Sequence, residues 1–194
     1  DVCSSDLEAQ LQETFAAFPR PTLLVTHNIE EAYRLGHELL VLSRGRVAAM
    51  GAKEEIFHRP PSLEVARLTG CKNFSRAVAV SENSVEAIDW GCRLRFAGPI
   101  AKPPAHVGIR AHHIEFVDAA RADASENIFA CWLARSSETP FRITLYLRLR
   151  DNANAEDASL LQAEVLKRDW EKFRDRPFPW HVRLAPESLL SLSE

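Results

Sequence analysis

The sequence has little of what would point directly to a common class of function. Its 24 basic and 27 acidic side chains give a formal net charge of −3, so it lacks the basic surface that nucleic-acid binding usually needs. No apolar run approaches the roughly 20 residues that span a bilayer, and no basic-then-apolar leader opens the chain. We therefore expect no nucleic-acid partner and no membrane-spanning helix, and a cytoplasmic location fits best.

Cysteines and nucleotide-binding loops are also scarce or absent. The four cysteines form no C-x-x-C pair, so the sequence predicts neither a zinc site nor a disulfide framework and fits a reducing compartment. The phosphate loop G-x-x-x-x-G-K-[S/T], which cradles nucleotide phosphates with backbone N–H groups and a lysine, does not occur. Function must therefore be inferred from the order of the elements that are present.

The stretch from Thr22 to Asn28 organises the first part of the chain. Thr22 to Val25 is a short apolar run without alternation, which predicts a strand buried on both faces. His27 follows at the carboxyl end of that strand, where open α/β sheets hold their ligands. Asn28 then predicts the N-cap of a helix, with Glu31 in the reciprocal capping position. The pattern places one imidazole at a ligand-binding edge.

Further elements on either side of this stretch make up an α/β fragment. The pattern predicts an earlier helix that starts with a Ser5–Glu8 capping box, a hairpin of strands 39–42 and 46–50, a short helix over 53–57, and another from the cap Ser62 to Gly70. Because these segments supply too few strands for a whole sheet, they represent only part of an α/β domain.

After Gly70 the pattern changes to short alternating runs separated by turns. Apolar side chains alternate with polar ones in the runs 92–96, 141–150 (beginning with Phe141) and 180–184. Such alternation predicts half-buried antiparallel strands. Many short strands with regular turns favour an all-β small barrel or sandwich. We therefore expect two domains, 1–72 and 73–194.

The run around His27 resembles a motif of a known family. It reads Thr26-His27-Asn28-Ile29-Glu30-Glu31-Ala32. The nucleotide-binding subunits of ABC transporters have a strand that ends in Thr-His-Asp or Thr-His-Asn, then two variable positions and Glu-Ala. The continuation of that family is matched by Leu39 to Val47, Gly51 to Phe57 and Val65 to Gly70. The resemblance implies that the first domain is the end of a P-loop ATPase domain.

The second domain resembles the β-rich accessory domain that follows the ATPase in importers for molybdate, sulfate, sugars and polyamines. The matching residues are Gly108-Ile109-Arg110, followed by His112-His113-Ile114. Two further runs, Thr69-Gly70-Cys71-Lys72-Asn73 and Ile88-Asp89-Trp90-Gly91, resemble the molybdate/sulfate branch. The resemblance implies an OB-like small barrel.

The family assigns a role to His27. At that position it has the H-loop histidine, the switch residue that contacts the γ-phosphate of ATP. Phosphoryl transfer depends on charge stabilisation at the equatorial oxygens, and an imidazole N–H on a fixed strand end is a preorganised donor. The resemblance further implies ATP and Mg²⁺ as cofactors of the intact parent. Its implied partners are a second copy of the ATPase subunit and transmembrane permease subunits, at the inner face of the cell membrane.

Some parts of the family pattern are missing or changed. The sequence has no phosphate loop, no Leu-Ser-Gly-Gly signature and no apolar strand ending in Asp-Glu. Asp6 lies too close to His27 to be the D-loop aspartate of the family, and residues 1–5 match nothing in it, as at a truncated end. His37 replaces an aspartate, and Ala52-Lys53 replaces Thr-Pro.

These departures lead us to expect the C-terminal part of a longer ATPase subunit, which couples ATP hydrolysis to uptake of an oxyanion such as molybdate. The chain by itself is expected neither to bind ATP tightly nor to hydrolyse it, so its status as an enzyme is open. One alternative is an importer ATPase for sulfate, a polyamine or a sugar.

A second alternative is a non-enzymatic β-barrel module that senses an anion with the arginines Arg93, Arg95, Arg142, Arg148 and Arg150, although such a row is more often a solvated strand face. Imidazoles suit zinc, copper and nickel, which draws attention to His106, His112 and His113. Because His112 and His113 are expected to point to opposite faces of a strand, no metal site is predicted.

Overall fold

The structure is a computed structural model that describes residues 2–18, 20–118, 127–149 and 160–193. The chain divides into two compact units, Asp1–His58 and Arg59–Glu194. The helices are α1 (Val2–Ala17), α2 (Ile29–Leu35), α3 (Lys53–His58), α4 (Leu63–Leu68) and α5 (Lys167–Trp170). The strands are β1 (Glu38–Ser43), β2 (Arg46–Ala52), β3 (Asn73–Ser81), β4 (Ser84–Ala87), β5 (Cys92–Arg95), β6 (His106–Ile109), β7 (Ile114–Val117), β8 (Ile128–Glu138), β9 (Arg142–Arg148), β10 (Leu161–Leu166), β11 (Trp180–Leu184) and β12 (Leu190–Leu192). No helix within these described ranges is long and apolar enough to cross a membrane.

The first unit contains the predicted hairpin. Strands β1 and β2 pair in antiparallel fashion around Arg44 and Gly45, whose φ angles are +48° and +73°. Two successive positive φ angles are typical of the type I′ turn, whose twist matches that of the strands it joins. The predicted short helix after the hairpin is also present as α3.

Two predictions about the start of the chain are wrong. Helix α1 already begins at Val2, so Ser5 lies inside it and is not an N-cap, which must have non-helical backbone angles. Residues 21–26 form no strand, and the side chains of Leu23 and Val25 are 82% and 85% exposed. A strand needs a partner, and in the part of the chain that the structure describes, β1 and β2 pair only with each other.

Helix α2 ends before Gly36, a position with no room for a side chain. The φ of Gly36 is −83°, an angle that any residue can adopt, and the Gly36 N–H donates to the carbonyl oxygen of Ala32 at 3.0 Å. A Cβ atom on Gly36 would lie 2.8 Å from that same oxygen, which is closer than carbon and oxygen tolerate. A glycine is therefore needed where α2 ends, because a side chain would not fit there.

The second unit is built from two five-stranded antiparallel sheets. Their strand orders are β12-β6-β3-β4-β5 and β10-β9-β8-β11-β7. The predicted alternation is confirmed, since apolar side chains of β5, β9 and β11 point inward while their neighbours are partly or fully exposed. Phe141 is the exception, because it precedes β9 and is 79% exposed. One apolar core contains residues of both sheets, including Val85, Leu94, Leu145 and Val182.

The two sheets repeat one topology. Strands β3 to β6 and strands β8 to β11 have the same pairing. In the first set β3 lies between β4 and β6, and β5 pairs with β4. In the second set β8 lies between β9 and β11, and β10 pairs with β9. The fifth strands are exchanged: β7 follows β6 in the chain but pairs with β11, and β12 follows β11 but pairs with β6. The second unit is thus two interlocked halves. These observations confirm the expected fold class, an α/β fragment followed by an all-β domain.

Two buried asparagines tie the halves together. Asn73 Nδ2 donates to the carbonyl oxygen of Gln162 at 2.9 Å, and its Oδ1 accepts from Gln162 N at 2.6 Å. Asn127 makes the same two bonds with Arg95, at 2.8 Å each, and its Nδ2 also donates to the carbonyl oxygen of Leu184 at 3.0 Å. Each amide at the start of one half therefore pairs, like a peptide group, with the third strand of the other half.

Helix α4 lies in the second unit, although it precedes residue 73. Ser62 caps it as predicted, with its hydroxyl accepting from Val65 N at 3.3 Å, and Gly70 follows with a φ of +88°. Ala66 of α4 packs with Leu190 and Leu192 of β12. The predicted division into domains 1–72 and 73–194 rests on the change of sequence pattern after Gly70 and stays a prediction.

We predict that Asn127→Ala lowers the free energy of unfolding of the second unit by about 1–3 kcal/mol, because it leaves buried backbone groups of Arg95 and Leu184 without their partner. Asn73→Ala should behave similarly. Chemical denaturation followed by tryptophan fluorescence measures the effect, since all four tryptophans lie after residue 58. Asn83→Ala is the control: its amide contacts the hydroxyl of Ser81 in an exposed turn, and an equal loss there would contradict the prediction.

Candidate functional site

A hydrogen-bonded turn leads into α2. The Thr26 hydroxyl donates to Glu31 Oε2 at 2.8 Å and accepts from Asn28 N at 3.0 Å. Asn28 Oδ1 accepts from the backbone N–H groups of Glu30 and Glu31, at 3.0 and 3.4 Å. Asn28 is thus the N-cap, as predicted. Glu31 reaches the Asn28 N–H through the Thr26 hydroxyl, so the reciprocal capping bond is relayed and not direct.

His27 lies inside this turn with an exposed side chain. Its neighbours Thr26 and Asn28 are both hydrogen-bonded, so the backbone that carries the imidazole is held from both sides while the ring faces solvent. Such a placement lets an N–H of the ring donate to an anion that approaches the start of α2. The role of His27 as a γ-phosphate switch stays a prediction.

The histidines of the second unit lie differently from the prediction. His112 and His113 belong to a short 3-10 turn (Ala111–His113) and not to a strand, and their rings are 4.3 Å apart, edge to face. Burial lowers the pKa of His112, and the nearby Arg110 charge acts in the same direction. Among the described residues, no three His, Cys, Asp or Glu side chains come together as metal ligands would.

Two arginines of the predicted anion-binding row are paired with carboxylates. Arg142 lies 3.5 Å from Glu164, and Arg93 lies 3.8 Å from Glu86, each across neighbouring strands. Arg150 is outside the described residues. Cross-strand pairs of this kind fit a solvated strand face, where opposite charges stabilise the sheet modestly.

Residues of the motifs that resemble the β-rich accessory domain contact one another in the structure. The buried Arg110 donates to the carbonyl oxygen of Thr69 at 2.6 Å and to its hydroxyl at 3.2 Å. A Cβ atom on Gly108 would lie 3.2 Å from the carbonyl oxygen of Asn73, so a glycine allows this close approach. Burial raises the pKa of the nearby Cys71 thiol, which keeps it protonated and unreactive.

The third motif, around Asp89, is structural as well. Asp89 accepts from the backbone N–H of Arg76 at 2.7 Å and from its guanidinium at 2.7 and 2.9 Å. These bonds lower the pKa of Asp89. Trp90 is buried in the core, and Gly91 has a φ of +62°. Sequence reasoning missed Asn73, Arg110 and Asn127 as structural residues, because their partners are distant in the chain.

Comparisons with known proteins give one class of relative. No protein-family model matches the chain. It is 34% identical over 113 residues to the molybdate/tungstate import ATP-binding protein WtpC of Thermococcus kodakarensis, covering 55% of this chain and 31% of that protein. It is 27% identical over 165 residues to the Fe(3+) ions import ATP-binding protein FbpC of Streptomyces avermitilis, covering 84% of this chain and 43% of that protein.

Two further matches complete the comparison. The sn-glycerol-3-phosphate import ATP-binding protein UgpC of Chromobacterium violaceum is 28% identical over 113 residues, or 56% of this chain and 30% of that protein. A solved structure of the cytoplasmic molybdate-binding protein ModG aligns with 62% of this chain and 94% of its own, at 11% identity and a TM-score of 0.46. The chain spans less than half the length of these curated relatives. Over the matched residues, the chain is similar in sequence to the ATP-binding subunits of several ABC importers.

Proposed function

We propose that the chain is the C-terminal part of the ATP-binding subunit of an ABC importer, and that His27 donates a hydrogen bond to the γ-phosphate of ATP in the intact protein. The turn that holds His27 carries this proposal. The Thr26–Asn28–Glu31 bonds fix the backbone on either side of His27, and the His27 side chain is exposed. A donor fixed before the reaction stabilises developing charge without reorganisation.

The exposed apolar surface of the first unit supports the same proposal. Leu23, Val25, Leu42 and Met50 are all more than half exposed, in a unit with a single two-stranded sheet. Large apolar side chains that are left exposed are typical of surfaces that another element covers. Additional elements of an ATPase domain would cover these side chains.

ATP and Mg²⁺ belong to the intact subunit in this proposal. The sequence contains no phosphate loop, the element that cradles the phosphates with backbone N–H groups and a lysine. Tight binding therefore requires a segment beyond this chain. The proposed partners are a second ATPase subunit and the permease subunits, at the cytoplasmic face of the membrane. Movement of the H-loop with the γ-phosphate would give the two states that transport needs.

The proposed substrate is an oxyanion such as molybdate. The molybdate/tungstate relative WtpC and the motif residues around Asn73 and Trp90 support this choice. Other relatives are named for iron, glycerol phosphate and polyamines, so an importer for a different solute is the alternative. The anion-sensing module gains little support, because Arg142 and Arg93 already have carboxylate partners.

We predict that His27→Ala in the full-length subunit lowers ATP turnover by about 100-fold or more, because removal of one preorganised donor to developing charge has effects of that order. Steady-state ATPase assays measure turnover, and equilibrium binding of ATP shows whether nucleotide is still held. His37→Ala is a matched control, since His37 is another exposed histidine of the same unit. Full turnover in the His27 variant would remove the switch role.

We also predict that molybdate, with its binding protein, stimulates ATP hydrolysis by the assembled importer in lipid vesicles. Sulfate, spermidine and maltose, each with the corresponding binding protein, should not. The His27→Ala importer serves as the background rate. Stimulation by one of the other solutes would assign the importer to that solute and leave the ATPase proposal intact.

A further inference from the structure

A cavity of about 720 Å³ opens where the two edge strands of the second sheet approach each other. Val165 of β10 and Phe116 of β7 both line it, together with residues between α5 and β11. Its volume lies within the range of small-molecule sites, and the mouths of β-barrels are a common location for such sites. Ile114 of the His112-His113-Ile114 motif lines the cavity, but the proposed ATPase role does not use it.

Aromatic rings form the apolar part of the cavity. The rings of Phe116 and Phe173 are stacked, with centroids 4.5 Å apart, and Phe173 meets the ring of Trp180 edge to face at 5.4 Å. The indole N–H of Trp180 donates to the backbone carbonyl oxygen of Arg176 at 3.0 Å, which fixes the indole. Rings held in these geometries offer a further aromatic ring favourable contacts without rearrangement.

Two ion pairs are formed by residues that line this cavity. Arg176 Nη1 lies 2.9 Å from Asp118 Oδ1, and Lys172 Nζ lies 2.6 Å from Asp169 Oδ1. The charges balance, so a ligand with a single charge is attracted by one member of each pair and repelled by the other. Exposed ion pairs contribute little to stability, so exchanging their partners costs little. In a ligand with both charges, the carboxylate can bind the basic member of one pair while the ammonium binds the acidic member of the same pair.

We propose that this cavity binds small aromatic molecules that carry both an ammonium and a carboxylate group. The ring lies against Phe116, Phe173 and Trp180. The carboxylate takes the place of Asp118 at Arg176, and the ammonium binds Asp118. Every charge then keeps a partner, which neither an anionic nor a cationic analogue achieves.

Calorimetry of the full chain with three probes of one size tests the proposal. The three probes share the phenyl ring and differ in charge. L-phenylalanine carries both charges, 3-phenylpropionate carries only the negative charge, and phenethylamine carries only the positive charge. We expect L-phenylalanine to bind at least about fivefold more tightly than either analogue, because each analogue loses one charged hydrogen bond. Equal binding of all three, or no heat with millimolar L-phenylalanine, would overturn the proposal.

Matched variants locate the site. Arg176→Gln should weaken L-phenylalanine binding about tenfold and should strengthen phenethylamine binding, because Arg176 then no longer competes for Asp118. The bond from Trp180 survives this substitution, because it goes to the backbone of residue 176. Arg174→Gln is the control: Arg174 is exposed to a similar degree, pairs with Asp175 and does not line the cavity. Similar weakening by both variants would show that general charge, and not this cavity, attracts the ligand.

Discussion

The second unit depends on two side-chain amides that act as peptide groups. Asn73 and Asn127 each offer a donor and an acceptor to the backbone of a single residue in the other half, Gln162 and Arg95 respectively. Both amides are 2% exposed, so separating the halves would leave buried backbone groups without partners. Apolar packing alone would hold the sheets together in more than one register, whereas these bonds allow one.

This architecture explains the motifs on which the resemblance of the second unit rests. Arg110 holds Thr69, Gly108 allows Asn73 to approach, and Asp89 holds Arg76. Each of these contacts fixes the start of β3 or the strand beside it. A sequence pattern can thus persist in a domain because the fold requires it, and such a pattern says little about what the domain binds. The aromatic cavity between β7 and β10 involves none of these residues.

Local signals in the sequence were sufficient for some of the structure. The alternation of β9, the turn at Arg44-Gly45 and the Asn28 cap each depend on neighbouring residues, and all three are confirmed. The predicted strand at 22–25 failed because a strand requires a partner, and hydrophobicity alone does not supply one. The interlocked halves were not predicted, since the repeat survives in the sequence only as short similarities such as His106-Val107 and His181-Val182.

The exchange of the fifth strands has a consequence for synthesis of the chain. The first sheet includes β12, at residues 190–192, beside β6, at residues 106–109. A growing chain can form β3 to β6 early, but it leaves one edge of that sheet open until nearly all of the second half has been translated. Pairings between such distant segments form slowly. The first half therefore emerges from the ribosome before its last strand exists, and the free edge of β6 can pair with another chain until then.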